Sequence, residues 1–296
     1  MPSNLGLRPP EPGSVPGAAK APEALREAGL FHQLIQLGAV DAGVVLPGRY
    51  VDDDSTRESG HVRNEDTLVE HGRRLAKRLD MILDAGNVPL VIGGDCSILL
   101  GVGVALARRG RTGLMHVDGH TDFRHPGNSD ECASVAGEDL AAAVGSHWPA
   151  IADIDGLGPY FPPQRVVHIG HRDNDGEATE ARQKLGLVLS AREATSQTAA
   201  TVAAAAHAVA HPGYWLQVDV DVLDPSVMPA VDSPDSGGFM VEQLTQFLKL
   251  LAPGALGASV TVFDPDLDPD GRYARVVTDL IVGGLAQLGT ALHHAR

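Results

Sequence analysis

Two short stretches of the sequence carry acidic and imidazole side chains at the spacing of metal ligands. In HVDGHTDFR, Asp118, His120 and Asp122 alternate with other residues, and in extended chain such side chains point to the same side. Asp219 and Asp221 repeat this spacing farther along the chain. Four carboxylates gathered within a few ångströms would repel one another and take up protons unless a cation neutralised them. The pattern therefore predicts a divalent metal site, with enough carboxylates to bridge two ions that activate a water.

Five apolar runs that alternate with helical stretches are expected to position these acids. Each run ends in aspartate, and they read VPLVIGGD, TGLMHVDGH, RVVHIGHRD, GYWLQVDVDVLD and GASVTVFDPD. The alternation predicts an α/β fold with a mostly parallel central sheet covered on both faces. Because the carboxyl ends of parallel strands share one edge, where ligands bind in open α/β folds, the acids are expected to converge. His116 lies inside its apolar run and is interpreted as a core histidine, and Asp95 as a structural hydrogen-bonding acid.

Helices are predicted before, between and after the apolar runs. They cover PEALREAGLFHQLIQLG, NEDTLVEHGRRLAKRLDMILDAGN, SILLGVGVALARRG, VAGEDLAAAVG, EATSQTAATVAAAAHAVAH and VEQLTQFLKLLA, with a last helix near ALHHAR. Residues 1–22 are rich in Pro, Gly and small residues and are expected to form a loop-like segment. Since the alternation continues along the whole chain, residues 1–296 are expected to form a single domain.

Composition excludes several classes of partner. A formal net charge of −15 offers no phosphate-attracting surface, so nucleic acid is not an expected partner. No apolar run approaches the roughly 20 residues that span a bilayer, and no membrane association is expected. Two cysteines in 296 residues are too few for a disulfide framework, and no secretory leader is evident. A cytoplasmic location is therefore expected.

Three ordered motifs resemble the signatures of the ureohydrolase family, which includes arginases, agmatinases and formiminoglutamases. They are GGDCS, VDGHTD and DVDVLDPSVMPAVDSPDSGG, and APEALREAGL and IGHRDND resemble further family segments, so the resemblance covers nearly the whole chain. It implies a three-layer α/β/α fold and hydrolysis of a guanidino or amidino C–N bond in a small molecule. It also implies two Mn(II) per chain and a homo-oligomer, trimeric or hexameric.

The resemblance also implies a role for each ligand. Asp118, Asp122 and Asp219 would bridge the two metals, and His120 and Asp221 would each complete the shell of one metal. Asp122 would in addition stabilise the tetrahedral intermediate that forms when a metal-activated hydroxide attacks the amidine carbon.

Cys96 occupies the place of the family's first histidine ligand and is the first departure from the pattern. A thiolate is softer than imidazole and would favour Zn, Fe or Co over Mn. Three interpretations are open: a thiolate ligand, an idle thiol beside a single-metal site, and a buried inert cysteine.

Two further departures concern the catalytic groups. CASVAGED places Ala136 where many family members have a proton-shuttling histidine, and Glu138 either substitutes as acid or base or is an early-turn glutamate of a helix. VFDP replaces the family's Glu-x-Asn-Pro, so Val262 stands for the glutamate that grips the guanidinium and Asp264 for the asparagine. Arginine is therefore a doubtful substrate. Asp264 is a candidate substrate-binding residue.

Four residues are candidates for binding the far end of the substrate. Asp173 and Asp175 stand where arginases contact the α-amino end, so an amino-acid-like ligand is compatible with the sequence. Arg124 and Arg172 either hold a substrate carboxylate or pair with surface acids, and the sequence favours neither.

The leading hypothesis is a metal-dependent hydrolase of a linear amidine. Its substrate would be a modified guanidine, such as a hydroxyguanidine, or a formimino compound rather than plain arginine. Two alternatives remain: a single-metal amide deacetylase of related fold, and a catalytically inactive, metabolite-binding homologue.

Overall fold

A six-stranded, all-parallel sheet in the order β1-β6-β5-β2-β3-β4 forms the centre of the computed structural model, which describes residues 1–110 and 112–294. The strands are β1 (Leu90–Ile92), β2 (Gly113–Val117), β3 (Val166–His171), β4 (Leu187–Ser190), β5 (Tyr214–Asp219) and β6 (Ala255–Thr261). Side chains alternate between the two faces of the sheet, so that Leu114 and Trp215 enter one hydrophobic core while Met115 and Leu216 enter the other.

Eleven α-helices are assigned in the described part of the chain, and they cover both faces of the sheet. They are α1 (Ala21–Glu27), α2 (Leu30–Gln36), α3 (Glu65–Asp84), α4 (Ile98–Ala107), α5 (Asp139–Ala143), α6 (Pro149–Ala152), α7 (Ala178–Lys184), α8 (Ala191–Thr195), α9 (Ala199–Ala210), α10 (Val241–Leu251) and α11 (Arg272–Leu285). Their buried residues place α3 to α7 in one core and α1, α2 and α8 to α11 in the other. This confirms the three-layer α/β/α prediction.

The five apolar runs coincide with β1, β2, β3, β5 and β6, whereas β4 was missed. Strand β4 has only four residues at the edge of the sheet, and it runs directly into α8. So short a run carries too little periodicity to distinguish a strand from a loop.

Helices α6 and α7 were not predicted, the predicted helix EATSQTAATVAAAAHAVAH is divided into α8 and α9, and helix boundaries differ at further places. The first predicted helix is divided at Gly29, whose φ of 90° is left-handed and ends a right-handed helix. Helix formation begins before the end of the predicted loop 1–22, with a 3₁₀ turn at Gly17–Lys20 followed by α1. The last long helix, α11, ends upstream of ALHHAR, where a 3₁₀ segment covers Thr290–His294; residues 295–296 lie outside the described part.

The C-terminal segment Arg272–Leu292 is long and apolar enough to cross a membrane, which the sequence analysis did not anticipate. Its helical part, α11, packs against α1, α2 and α10 through residues that include Val277 and Ile281. The apolar face is therefore accounted for by packing within the fold.

The N-terminal segment crosses the end of β1 and supports the loop that carries Cys96. Ser3 Oγ donates to Asp95 Oδ2 at 2.7 Å, and Asp95 N donates to Ser3 O at 3.1 Å. The other Asp95 oxygen accepts from Ser97 N at 2.9 Å. Asp95 is thus a structural acid in this fold, and it links the N-terminal segment to the loop that carries Cys96.

We predict that Gly94→Ala destabilises the protein by about 1–3 kcal/mol. A Cβ on Gly94 would lie 2.4 Å from Ser3 N and 2.5 Å from Ser3 O, so one of the two backbone segments must move. Urea unfolding followed by circular dichroism measures the loss. Gly176→Ala is the matched control, because its Cβ meets nothing within 4 Å; equal stability of the two variants would contradict the prediction.

Candidate metal centre and active site

The carboxyl ends of the central strands bring five of the six predicted ligands together. Asp118 follows β2 directly, Asp219 ends β5, and β5 lies next to β2 in the sheet. The ligand atoms of Cys96, Asp118 and Asp219 all lie within 4.8 Å of one another, as do those of Asp118, His120 and Asp221. The acids of the two motifs thus converge at one edge of the sheet.

The backbone of each motif holds its own carboxylates in place. Asp118 Oδ1 accepts from His120 N and Asp219 Oδ1 accepts from Asp221 N, each at 2.8 Å. The two motifs are joined because Gly119 N donates to Asp221 Oδ1 at 3.0 Å and His120 Nδ1 lies 2.9 Å from Asp221 Oδ2. Acids two residues apart therefore share one local turn geometry, which aims the remaining oxygens at a common point.

Burial makes this cluster electrostatically costly without a cation. Burial and the charge of Asp221 raise the pKa of Asp118 to about 8, and burial and the same charge raise the pKa of Asp219 well above its usual value. Burial lowers the pKa of His120, but the hydrogen bond and charge of Asp221 outweigh it and raise that pKa to about 10. The imidazolium therefore compensates part of the negative charge.

The donor set fits a hard divalent cation. Asp118 is 1% exposed, and its Oδ2 has no hydrogen-bond partner among the described residues, as expected of an oxygen reserved for a ligand. Carboxylate oxygens with one imidazole suit Mn(II) and related ions. The group around His120 meets this requirement without a sulfur donor.

Cys96 is buried against Asp219 and Thr261. It is 1% exposed, its Sγ donates to Asp219 Oδ2 in a short contact, and Thr261 Oγ1 lies 3.3 Å away. Burial and the charge of Asp219 raise the pKa of the thiol well above its usual value. A metal at this position must therefore displace a proton that the surrounding carboxylates retain.

An open cavity of about 400 Å³ gives access to the ligands. Its described lining includes His120, Asp122, Asp219 and Asp221. Asp122 is in the loop after β2, where its φ of 47° is left-handed, and Ala141 N anchors the loop by donating to Asp122 O at 3.1 Å. Burial and the charge of Asp118 raise the pKa of Asp122 well above its usual value. Asp122, which the sequence predicts to be catalytic, thus lines the cavity beside the predicted ligands His120, Asp219 and Asp221.

Asp175 and Arg124 lie on the wall of the same cavity. Asp175 accepts hydrogen bonds from Thr121 N at 2.7 Å and from Thr121 Oγ1 at 2.8 Å. Thr121 lies between the predicted ligands His120 and Asp122, so Asp175 helps to hold that loop. Arg124 has an exposed side chain, and its Nε is 3.8 Å from Glu177 Oε1. Arg124, like Arg8 on the same wall, is therefore an exposed cation at the rim.

Asp173 and Asp264, which the sequence suggested as substrate-binding residues, are not among the described residues that line the cavity. Asp173 Oδ2 pairs with Arg192 Nε at 2.6 Å on the surface. Asp264 accepts from Gly17 N at 3.2 Å and from Asp266 N at 2.9 Å, and so fastens the segment before α1 to the end of β6. Both side chains are occupied in structural contacts.

Glu138 is also turned away from the cavity, which removes the geometric basis for its suggested acid or base role. It is 0% exposed, and its Oε1 accepts from Ala133 N at 2.8 Å and Ser134 N at 3.1 Å. Its Oε2 lies 3.0 Å from His147 Nε2, and His147 Nδ1 accepts from Trp148 N, so the ring donates to the glutamate. Within the described part of the chain, Glu138 makes no side-chain hydrogen bond to the N-terminus of α5 either, so it is a structural carboxylate held by the preceding segment and by His147.

Ala136 and Val262, the other two departures from the family pattern, both line the cavity. Val262 has a φ of 71°, a rare conformation for a β-branched residue, and its N–H donates to Gly94 O at 2.8 Å. The two positions give this part of the cavity methyl groups where the family pattern has an imidazole and a carboxylate. A cationic guanidinium gains no partner from either residue.

Sequence reasoning missed three acids near the ligands. Asp232 and Asp235 line the cavity within the quoted DVDVLDPSVMPAVDSPDSGG motif, and Asp235 Oδ2 is 3.4 Å from His120 Nε2. Burial raises the pKa of Asp232. Asp139 is completely buried beside Asp122. The one sequence signal for these acids is their position close to Gly or Pro residues, which favour turns.

Arg172 supports the loop of Asp221 and is not free to hold a substrate. Its Nη2 donates to Asp221 O at 2.8 Å and Leu223 O at 3.1 Å, its Nη1 donates to Gly170 O at 3.0 Å, and its Nε donates to Asp235 O at 2.9 Å. Arg172 is 4% exposed, and its guanidinium places a positive charge next to the loop of Asp221.

We predict that Arg172→Lys lowers the free energy of unfolding by about 2–4 kcal/mol, because an ammonium group cannot serve carbonyls in several directions. Urea unfolding measures the change. Arg124→Lys is the control with the same chemistry at the exposed rim, where the expected change is within about 0.5 kcal/mol. A loss at Arg172 no larger than that at Arg124 would contradict the supporting role.

Comparison with known proteins agrees with the motifs and the fold. The family model described as the Arginase family matches residues 13–285. The arginase of Brevibacillus brevis is 30% identical over 279 residues, covering 90% of this chain and 91% of that protein. The native structure of arginase from Bacillus caldovelox has a TM-score of 0.85 at 28% identity, covering 96% and 95% of the two chains. Proclavaminate amidino hydrolase from Streptomyces clavuligerus, at 24% identity and a TM-score of 0.67, shares the fold over 93% of this chain and 87% of that one. The chain therefore belongs to the arginase family.

Proposed function

We propose that the protein is a metal-dependent hydrolase of the C–N bond in a linear amidino compound. The observation that carries the proposal is the open cavity, whose floor holds Asp122, Asp219 and Asp221 beside the unpartnered oxygen of Asp118. Family membership supports the same reaction class, and supports a cytoplasmic homo-oligomer, trimeric or hexameric, with two Mn(II) per chain.

The residues of the chain divide the work of this reaction. When bound, divalent ions supply Lewis acidity and a water of lowered pKa. Asp118, His120, Asp219 and Asp221 would hold them. Asp122 borders the cavity, where its carboxylate can accept a hydrogen bond from an N–H of the amidine and stabilise positive charge on the tetrahedral carbon's nitrogens.

The cavity favours a substrate other than arginine. Val262 and Ala136 offer no charge to a guanidinium, so a less basic hydroxyguanidine, or a formimino group with fewer N–H donors to satisfy, loses less on entering than arginine does. At the rim, Arg124 and Asp175 suit the carboxylate and ammonium of an amino-acid-like tail. We therefore propose a modified guanidine or a formimino amino acid as the substrate class.

Metal content and turnover test the proposal together. We expect protein purified without chelators and loaded with Mn²⁺ to release urea or ammonia from at least one of hydroxyarginine, agmatine, guanidinobutyrate and formiminoglutamate. Cys96→His should raise Mn²⁺ affinity about tenfold or more, because imidazole is neutral and harder than a thiolate, whereas Cys96→Ser should not. Elemental mass spectrometry after gel filtration counts the ions.

No release by wild type or Cys96→His from any of these compounds would refute the hydrolase proposal. A single tightly held zinc with amide hydrolysis would instead identify a deacetylase of related fold. Ligand binding without turnover would identify a metabolite-binding homologue.

The apolar positions give a separate prediction about specificity. Val262→Glu, combined with Ala136→His, should raise kcat/KM for arginine by about 10–100-fold, because a carboxylate then pairs with the guanidinium. Val262→Gln with Ala136→His is the control of equal size without the charge, and should give little of this gain. Equal activity of the two double variants on arginine would show that Val262 does not determine specificity.

A further inference from the structure

A third group of buried ligand atoms contains Asp122 but neither Cys96 nor His120. It consists of His116, Asp122 and Asp139, whose ligand atoms all lie within 4.8 Å of one another. His116 is in β2, Asp122 is in the loop after β2, and Asp139 begins α5. Because Ala141 N donates to Asp122 O, the loop and α5 hold a common position.

Three polar atoms of this group lack a hydrogen-bond partner among the described residues. They are His116 Nε2 and both carboxylate oxygens of Asp139, and both residues are 0% exposed. Buried carboxylates are normally hydrogen-bonded, paired or bound to a metal. Asp95 and Glu138, two other buried acids, have their oxygens occupied by N–H or O–H donors. Asp139 therefore differs from these two acids in having both oxygens unpartnered.

The distances suit a cation better than direct hydrogen bonds. His116 Nε2 is 3.6 Å from Asp139 Oδ1 and 3.5 Å from Asp118 Oδ2. Both separations exceed the range of ordinary N–H···O hydrogen bonds. Ligand atoms about 2.1 Å from a tetrahedral ion are about 3.4 Å apart, so only a small contraction is needed to coordinate one.

The second nitrogen of His116 is held as in a metal-binding histidine. His116 and His168 are cross-strand partners of β2 and β3, and their Nδ1 atoms are 3.0 Å apart. When His116 Nδ1 donates to His168, the lone pair of Nε2 faces the carboxylates. A hydrogen bond on the far nitrogen commonly sets the tautomer of a ligating histidine.

We propose that His116, Asp122 and Asp139 form an additional divalent-cation site, which shares Asp118 with the groups that contain Cys96 and His120. One imidazole and several carboxylates suit Mn²⁺ or Zn²⁺. Asp122 borders both this group and the cavity, so it provides the route of entry. The site gives the chain a thiol-free second cation position, and it assigns a ligand function to the histidine interpreted from sequence as a core residue. It does not depend on amidine hydrolysis.

Crystals of the wild-type protein soaked in Mn²⁺ locate the ion directly. We expect an anomalous difference peak between His116 Nε2 and the carboxylate of Asp139. Peaks confined to the groups of Cys96 and His120, with His116 Nε2 within hydrogen-bonding distance of Asp139, would show an imidazolium–carboxylate pair and overturn the proposal.

Variants test the same site in solution. Asp139→Asn and His116→Gln should each weaken the binding of one Mn²⁺ per chain at least about tenfold, as counted by elemental mass spectrometry and isothermal titration calorimetry. Glu138→Gln, an adjacent buried acid outside the group, and Cys96→Ser should retain that ion. Thermal unfolding without metal checks that each variant folds. Retention of wild-type stoichiometry and affinity by Asp139→Asn and His116→Gln would overturn the proposal, as would loss of this ion in Cys96→Ser.

Discussion

The concentration of buried carboxylates at one edge of the sheet is the constraint on which the rest of the site depends. Asp118, Asp139 and Asp219 are at most 1% exposed; Asp118 follows β2, Asp219 ends β5 and Asp139 begins α5. Like charges in such a place are tolerated only when hydrogen bonds, cations or protons compensate them. The architecture supplies each of these devices at a different position.

Backbone and side-chain cations compensate part of this charge within the protein. The N–H groups of Gly119 and Asp221 donate to ligand carboxylates, and His120 lies against Asp221. Arg172 contributes its charge from below through the carbonyls of the same loop. The negative charge that these contacts do not compensate lies mainly on the unpartnered oxygens of Asp118 and Asp139. Those atoms are where a bound cation contributes most.

All three departures from the family pattern concern ionisable groups of the site. Ala136 and Val262 stand in the cavity where the family pattern has an imidazole and a carboxylate, and Cys96 stands where it has a histidine. Burial and the charge of Asp219 raise the pKa of the Cys96 thiol. The proposed preference for a substrate other than arginine follows from the first two residues. His116, in β2, adds an imidazole to the group of Asp122 and Asp139.

The local pattern of the sequence determined the strands, the family and the cluster of ligands, because alternation and spacing within a few residues are preserved in any parallel sheet. Strand β4 was not predicted, because four residues at a sheet edge carry little periodicity. The orientations of Glu138, Arg172 and Asp264 depend on partners 9, 49 and 247 residues away, respectively, and only the tertiary structure decided them. The same holds for His116, whose apolar surroundings in the sequence indicated a core residue. Its ring meets Asp139 only because β2 and α5 pack together, a contact that no local spacing encodes.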